Sequence, residues 1–520
     1  MTSLNRIIKA RRWLVITTIF TLGLGVYAQT PPQGNGQGGR RGQGNAGNDA
    51  MAVYKATMEK DDQKILDEVK AHSELMKNLE YLCTQIGARL TGSPQMQRAS
   101  EWTRQRFADY GIDAHLEDTQ IANGYQRGLD TAMIVSPVQH MVGIHAAGWS
   151  KPTSGEITGN VVVIQADNEE QFNEKYKGKL KNAIILGSAP SKLAPENEIP
   201  DNAYDAVIPP QRGVPAPAQR GLGQRLTQLL QAEQVGVQLR DSGKTDSLFN
   251  MGGAGGGYNE SAFPVAFVTH EDYSLLYRLA CSRPVSMKGN ITGHVTGPQK
   301  ASITVAEIKG SEFPDERVII GGHLDSWDLG QGATDNGTGS MAVLEAARTL
   351  KALGMKPKRT ITFILFTGEE QGGVGVRTFL DNHKTEIPKI DAVLVHDTGT
   401  GAVKTIALEN FYETAPIMTQ IYQPLQEVFN LQPLSTRYFG SSDHVAFQRA
   451  GIAAYFCVQE PAHYRENHHS QTDTFDKVIP DQANQGAAFL AAWAWNTSEM
   501  TEAIPHHQAQ GQQAPPQGRP

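Results

Sequence analysis

Cysteine is scarce in this sequence, and basic charge is not in excess. Only three of the 520 residues are cysteines, at Cys83, Cys281 and Cys457. Three are too few for a disulfide scaffold, and their wide spacing does not fit a CxxC-type zinc site. We expect three buried thiols, and one bridged pair after export is the alternative. Lys and Arg total 47 against 54 Asp and Glu, which gives a net charge of -7. Nucleic-acid-binding proteins usually carry a basic face, so we expect no nucleic-acid partner.

Long apolar runs are also absent, apart from one near the N-terminus. Basic residues at positions 6 to 12 precede the apolar segment Trp13–Val26, and the small residue Ala28 follows it. This pattern predicts a secretory signal peptide over residues 1–28, because the run is shorter than the ~20 residues that span a bilayer. An uncleaved membrane anchor is the alternative. We expect an exported protein, periplasmic or extracellular, with no stable membrane span after signal cleavage.

The rest of the chain divides by composition. Residues 29–50 and 505–520 are rich in Gly, Gln and Pro and poor in apolar side chains, which predicts disorder. Residues 51–124 have apolar residues at helical spacing as far as about Ile121, with Gly111 as a helix end. Residues 125–295 combine short β-branched runs with Gly- and Pro-rich loops, which indicates a β-rich insert. Residues 296–504 alternate strands and helices and form the main part of the larger domain.

Residues 296–504 predict an α/β fold. Near-continuous apolar runs lie at 318–320, 361–366, 392–395 and 452–457, and Met341–Leu353 has the spacing of an amphipathic helix. Such runs are typical of strands buried on both faces by helices. Functional sites of these sheets form at the carboxyl ends of the strands.

Acidic residues and histidines follow these predicted strands. His323 and Asp325 form an H-x-D pair, and Glu369 and Glu370 come directly after the strand at 361–366. On extended backbone His323 and Asp325 point to one side, so His323 could bind a metal while Asp325 accepts its other N–H. The adjacent glutamates point apart, so one could bind metal while the other reaches a water. The alternatives are a hydrogen bond at a strand end and a solvated acidic surface.

Three further residues complete the set. Asp335 lies in a Gly-rich turn just before the helix at Met341, Asp397 follows the strand at 392–395, and His469 lies farther along the chain. Asp335 could be a helix N-cap, or it could bridge two metals with its two oxygens. Imidazole and carboxylate ligands without thiolate favour zinc, with manganese or cobalt as alternatives.

The segments Gly322–Gly337, Thr367–Gly373 and His468–Thr474 resemble the M28 family of zinc peptidases. The resemblance spans about Glu80 to Met500. It implies a zinc-peptidase (phosphorylase/hydrolase-like) mixed sheet flanked by helices. It also implies that residues 125–295 are an inserted protease-associated (PA) domain.

The resemblance implies a ligand set for two Zn²⁺ ions. One ion would be held by His323, Asp335 and Asp397, and the other by Asp335, Glu370 and His469. His469 is preferred to His468 because it lies four residues before Asp473, as the family ligand does before its matching aspartate.

The resemblance also implies roles beside the metals. Glu369 matches the general base and Asp325 the partner of His323, and the Asp335–Asn336 peptide bond is a candidate for the cis form.

The segment around Ser442, Asp443 and His444 is a tentative substrate or oxyanion site by the same resemblance. The tyrosine of related aminopeptidases falls at Phe439 here, with Tyr438 beside it, which weakens the case for an oxyanion role of Tyr438.

Together these features predict an exported two-zinc metallopeptidase that hydrolyses short peptides or dipeptides as a dipeptidase or aminopeptidase. The resemblance adds a homodimer, since family members are often dimers. Two alternatives use a similar fold: a receptor-like binding protein without activity, and a glutaminyl-cyclase-like transferase with one zinc. The complete set of metal ligands argues against both.

Overall fold

The computed structural model describes residues 43–193 and 217–506. The predicted signal peptide 1–28 and most of the predicted tail 505–520 lie outside these residues. The described residues from Met51 onwards form one compact unit. Helix α1 begins at Gln43, so the end of the segment 29–50, predicted to be disordered, is helical.

The helices of the described residues have the following bounds. They are α1 (Gln43–His72), α2 (Leu75–Tyr81), α3 (Pro94–Asp109), α4 (Glu169–Tyr176), α5 (Pro217–Ala232), α6 (His270–Ser282), α7 (Thr338–Ala352), α8 (Val374–Asn382), α9 (Ala415–Phe429), α10 (His444–Arg449), α11 (Tyr464–Asn467) and α12 (Pro480–Glu499). None of these helices has both the length and the hydropathy needed to cross a membrane.

The strands of the described residues follow. They are β1 (Asp113–Ile121), β2 (Tyr125–Gln126), β3 (Thr131–Ser136), β4 (His140–Met141), β5 (Ile144–Ala146), β6 (Ile157–Val163), β7 (Ile184–Leu186), β8 (Val237–Asp241), β9 (Val265–Val268), β10 (Ser286–Asn290), β11 (His294–Val295), β12 (Gln299–Ile308), β13 (Phe313–His323), β14 (Arg359–Phe366), β15 (Ile390–Val395), β16 (Val403–Ala407) and β17 (Ala454–Gln459).

The larger domain is built on a mixed sheet of seven strands in the order β1-β12-β14-β13-β15-β17-β16. The central strands β14, β13, β15 and β17 run parallel, and β1, β12 and β16 are antiparallel to their neighbours. Val318 and Ile320 of β13 pack in one hydrophobic cluster with α7 and α12, whereas Ile319 packs in another with α8. Helices therefore cover both faces, which explains the near-continuous apolar runs.

A second sheet lies within the segment predicted to be an insert. It has eight strands in the order β4-β3-β10-β6-β7-β8-β9-β5, and a small ribbon pairs β11 with β2. Its apolar residues form hydrophobic clusters distinct from those of the larger sheet.

The helical interpretation of residues 113–121 is wrong. These residues form β1, which pairs with β12 along its whole length as an edge strand. Local propensity is a weak guide for such a strand because the neighbouring strand stabilises it. The predicted helix end is confirmed: α3 ends at Asp109, and the Gly111 N–H donates to the Ala108 carbonyl at a φ of 75°.

The expectation of three buried thiols is wrong for Cys281. Cys83 and Cys457 are buried, but Cys281 is exposed near the end of α6. Cys281 lies in the last turn of that helix, where residues 281–284 are all exposed.

Asp62 on α1 makes the stability of the protein depend on pH. The carboxylate is buried and accepts a hydrogen bond from Asn496 of α12 at 3.0 Å. Burial raises the pKa of Asp62 to about 8. The folded protein thus keeps a proton that the unfolded chain loses above about pH 4, so the free energy of unfolding falls as pH rises through this window. We expect Asp62→Asn to have a higher Tm than wild type above about pH 8, with the difference shrinking towards pH 4.

Thermal unfolding of the metal-free protein at several pH values measures this effect. The exposed Asp67 on the same helix supplies the control Asp67→Asn. Parallel Tm curves for wild type and Asp62→Asn across the pH range would contradict the expectation.

Candidate metal centre

The carboxyl ends of three neighbouring strands bring the predicted site residues together. Strands β14, β13 and β15 lie side by side and parallel, with β13 in the centre. His323 is the last residue of β13, Glu369 and Glu370 follow β14, and Asp397 follows β15. Parallel strands end at the same edge of a sheet, so the fold itself gathers these side chains.

Asp335 lies between two groups of metal-binding side chains. Its Oδ1 is 3.3 Å from His323 Nε2, which is also 3.0 Å from Asp397 Oδ1. Its Oδ2 is 3.5 Å from His469 Nε2, which is also 2.8 Å from Glu370 Oε2. Each oxygen of Asp335 thus faces one histidine and one further carboxylate, the arrangement that a bridging ligand requires.

His468 also lies near this group. Its Nε2 is 3.9 Å from Asp335 Oδ2, and its ring stacks on that of His469 with centroids 3.8 Å apart. Asp335, His468 and His469 therefore form a second grouping that could hold a metal ion. Glu370 is close to His469, so the contacts favour His469 as the ligand shared with Glu370.

The chemistry of these side chains fits zinc. Asp335 Oδ2 and Glu370 Oε1 are buried and have no hydrogen-bond partner among the described residues. A buried carboxylate without a partner is unfavourable unless a cation compensates it. Zinc in proteins is commonly bound by histidine nitrogens and carboxylate oxygens, and both kinds of donor are present here.

Burial also dominates the protonation of the two glutamates. It raises the pKa of Glu369 well above its usual value, and the charge of Asp397 adds to the effect. Burial, then the charge of Asp335, raises the pKa of Glu370 in the same direction. Bound dications would favour the ionised forms of both carboxyls.

Asp325 connects His323 to the glutamate turn. His323 Nδ1 is 3.0 Å from the Asp325 backbone carbonyl and 3.6 Å from its Oδ1. The Asp325 carboxylate accepts hydrogen bonds from the Glu369 N–H at 3.3 Å and the Glu370 N–H at 3.4 Å. It also accepts one from the Thr91 hydroxyl at 3.0 Å. Asp325 therefore positions both glutamates, a role that the sequence did not suggest.

Two further charged residues hold the turn that contains Asp335. The Asp473 carboxylate accepts from the Thr334 N–H at 2.6 Å and from the Asp335 N–H at 3.1 Å. The fully buried Arg89 donates to the Leu324 carbonyl at 2.6 Å and to further carbonyls on the other side of the turn. Sequence reasoning missed Arg89, since an arginine in a short loop has no distinctive pattern.

The turn of Asp335 is irregular. It lies in the helical turn Ala333–Gly337, where Asp335 and Asn336 leave helical geometry. The Asp335–Asn336 peptide bond is cis, so the expectation from the family resemblance is confirmed. The Asn336 side chain donates to the His396 carbonyl at 2.8 Å, which fastens the turn to the end of β15.

The tentative substrate segment is only partly buried. Asp443 is buried and both of its carboxylate oxygens lack a hydrogen-bond partner among the described residues. Burial raises the pKa of Asp443, and the charge of Glu369 adds to this. His444 is buried with its Nε2 3.3 Å from Glu409.

Ser442 and Tyr438 of this segment differ in their surroundings. The Ser442 hydroxyl is buried without a partner among the described residues. Tyr438 is 50% exposed, whereas the Phe439 ring packs on Phe456. An oxyanion role for Tyr438 stays a prediction.

A cluster of large apolar side chains adjoins the site, and no local sequence pattern indicated it. Tyr125 of this cluster lies in the small ribbon, and its other members lie in loops. Tyr125, Trp149 and Met251 pack with Trp327 of the turn after β13. The Trp327 ring lies edge-on to the His469 ring, with centroids 6.0 Å apart. Met251 and Trp327 line a narrow cleft together with Asp335, Glu370 and His469.

Residues 304–494 match the model of a known family, Peptidase family M28. Over 448 residues the chain is 30% identical to carboxypeptidase Q of Mus musculus. The match covers 84% of this chain and 88% of the mouse protein.

Two solved structures are similar in fold. A Peptidase M28 precursor from Shewanella amazonensis has a TM-score of 0.70 and 24% identity, over 87% of this chain and 99% of that chain. The zinc aminopeptidase BSAP from Bacillus subtilis has a TM-score of 0.59 and 18% identity, over 84% of this chain and 98% of that chain. The predicted α/β zinc-peptidase fold is thereby confirmed.

Proposed function

The chain belongs to peptidase family M28 and is a metallopeptidase; from this premise we propose that it is an exported two-zinc exopeptidase of short peptides or dipeptides. The observation that carries the proposal is the position of Asp335, whose two oxygens each face a different histidine and carboxylate. The names of a family relative, carboxypeptidase Q, and of a fold relative, a zinc aminopeptidase, both describe cleavage at the end of a peptide chain.

Two ligand sets would hold the ions. His323, Asp335 and Asp397 would bind one zinc, and Asp335, Glu370 and His469 the other. When bound, zinc would polarise the scissile carbonyl and lower the pKa of the attacking water. Manganese or cobalt could occupy the same nitrogen and oxygen donors.

Glu369 is the general base of the proposed reaction. It lies beside the ligand Glu370, and the Asp325 carboxylate holds its backbone N–H at 3.3 Å. One carboxylate oxygen of Glu369 takes a proton from the attacking water and then gives it to the leaving amine nitrogen.

Residues 125–295 would be a PA-like insert whose loops restrict the site to short substrates. The apolar run after the basic N-terminus supports export to the periplasm or the cell exterior. A homodimer is proposed from the family resemblance.

Zinc titration of the metal-free protein tests the proposal. We expect two equivalents to bind and hydrolysis of an unblocked dipeptide to return as they do. An N-acylated and a C-amidated dipeptide would show which free terminus is needed. His323→Ala should lower the zinc content. His463→Ala, which changes an exposed histidine paired with Glu466, serves as the matched control.

Two other results of this titration would each favour a different function. Two bound zinc ions without cleavage of any peptide would favour a binding protein. A single zinc ion with cyclisation of an N-terminal glutamine would favour the transferase.

A further inference from the structure

One segment of the second sheet reaches the loop that carries His469. We call residues Lys244–Met251, which follow β8, the clamp segment. The Met251 N–H donates to the His469 carbonyl at 2.7 Å. The Phe249 N–H donates to the Gln471 side-chain oxygen at 2.8 Å, and the Gln471 amide donates back to the Ser247 carbonyl at 3.2 Å.

The ammonium group of Lys244 contacts three backbone carbonyls of the same loop. It donates to the Arg465 carbonyl at 2.8 Å and to the His468 carbonyl at 2.7 Å, and it is 3.4 Å from the Glu466 carbonyl. A lysine ammonium has three N–H donors and no acceptor, so three converging carbonyls suit it. One side chain thus binds the loop on the N-terminal side of His469, while Met251 binds His469 itself.

His469 needs such support because of its backbone conformation. Its φ is 53°, in the left-handed region that residues other than glycine seldom adopt. Such a conformation persists when the surrounding structure holds it in place. The bonds from the clamp segment fix the carbonyls of His468 and His469, which belong to the two peptides that flank the His469 Cα, and therefore the direction of the imidazole.

The Met251 side chain extends the same contact to a second loop. Its sulfur lies 3.1 Å from the Leu329 backbone N–H, and it packs against Trp327, whose ring faces His469. Asp328, between these residues, accepts two hydrogen bonds from Arg127 at 2.7 and 2.9 Å. Arg127, which precedes β3, and Met251, which follows β8, thus each join their segment to the loop after β13 at the edge of the metal centre.

We propose that the clamp segment is a positioning element for His469, so that the affinity of the Asp335–Glu370–His469 set for zinc depends on Lys244 and Met251. This inference rests on the proposed two-zinc function. It means that the second sheet contributes to metal binding as well as to access. The set formed by His323, Asp335 and Asp397 receives no hydrogen bond from the clamp segment among the described residues, so its affinity should not depend on it.

The test is a zinc titration of the full chain in competition with a chromogenic chelator. We expect Lys244→Met to weaken one of the two zinc affinities by about 10- to 100-fold, the usual effect of losing a group that orients a ligand. Lys244→Arg should recover most of the affinity, since a guanidinium also offers several donors. Lys288→Met is the matched control: Lys288 lies on β10 of the same sheet and pairs with Glu156.

A double variant assigns the effect to His469. We expect Lys244→Met to have no further effect on zinc affinity in a His469→Ala background, because the residue it positions is gone. If Lys244→Met does not fold, Gln471→Ala is the alternative. It removes the side-chain oxygen that accepts from the Phe249 N–H, and it should weaken the affinity of the same zinc site.

Unchanged zinc affinities in Lys244→Met, or an equal loss at both sites, would overturn the proposal. An additive loss in the double variant would do the same. A wild-type protein that binds fewer than two zinc ions would instead overturn the proposed function, so the two failures are distinguishable.

Discussion

Replacing Glu369 by glutamine should lower kcat for an unblocked dipeptide by roughly 10²- to 10⁴-fold, the usual contribution of a general base. Glutamine has nearly the same shape but cannot accept the proton of the attacking water. The backbone hydrogen bond to Asp325 does not involve the side chain and should remain. Zinc content, measured by elemental analysis, should stay at the wild-type value.

The neighbouring glutamate supplies the contrast for this experiment. Glu370 lies 2.8 Å from His469, so Glu370→Gln should lose zinc together with activity. The pair of variants separates proton transfer from metal binding at adjacent positions. If Glu369→Gln kept most of the wild-type kcat, or lost zinc as Glu370→Gln does, the assignment of the base would be wrong.

Replacing Arg89 by methionine should destabilise the metal-free protein by about 3 kcal/mol or more, because several buried carbonyls lose their donors. Arg89 is fully buried and donates to the carbonyls of Leu324, Gln331 and Gly332 at 2.6 to 2.8 Å. Methionine fills similar space but offers no donor. Urea unfolding at constant pH measures the free energy of unfolding.

Two variants control for this change. Arg104→Met alters a partly exposed arginine of α3 and should change the free energy of unfolding by no more than about 0.5 kcal/mol. Arg89→Lys should be intermediate, since an ammonium lacks the planar fork that serves carbonyls on both sides. A free energy of unfolding for Arg89→Met within about 1 kcal/mol of wild type would show that the turn holds its shape without this residue.

The residues of the metal centre could be predicted because local patterns mark them. Buried parallel strands have apolar runs, and their ends are visible where polar residues begin. His323, Glu369 and Asp397 each follow such a run, and the strand order then places them at one edge. Asp335 was recognisable because glycines surround it, and its peptide bond has the expected cis form.

Residues that act through distant contacts could not be predicted in this way. Asp113–Ile121 has no strong local preference, and only pairing with β12 makes it a strand. Arg89 is separated by more than 200 positions from Leu324, Gln331 and Gly332, whose carbonyls it binds, and its function depends on burial.

The sequence by itself determined the reaction class, since the type and order of metal-binding side chains are properties of the chain. The tertiary structure decided which side chains orient them. Lys244, Met251 and Arg89 orient the ligands through hydrogen bonds to and from backbone carbonyls and amides. Every residue has such groups, so a sequence cannot show which of them a buried side chain will reach. The packing of the second sheet against the metal centre selects the partners of Lys244 and Met251. The burial of Arg89 beneath the turn of Asp335 selects those of Arg89.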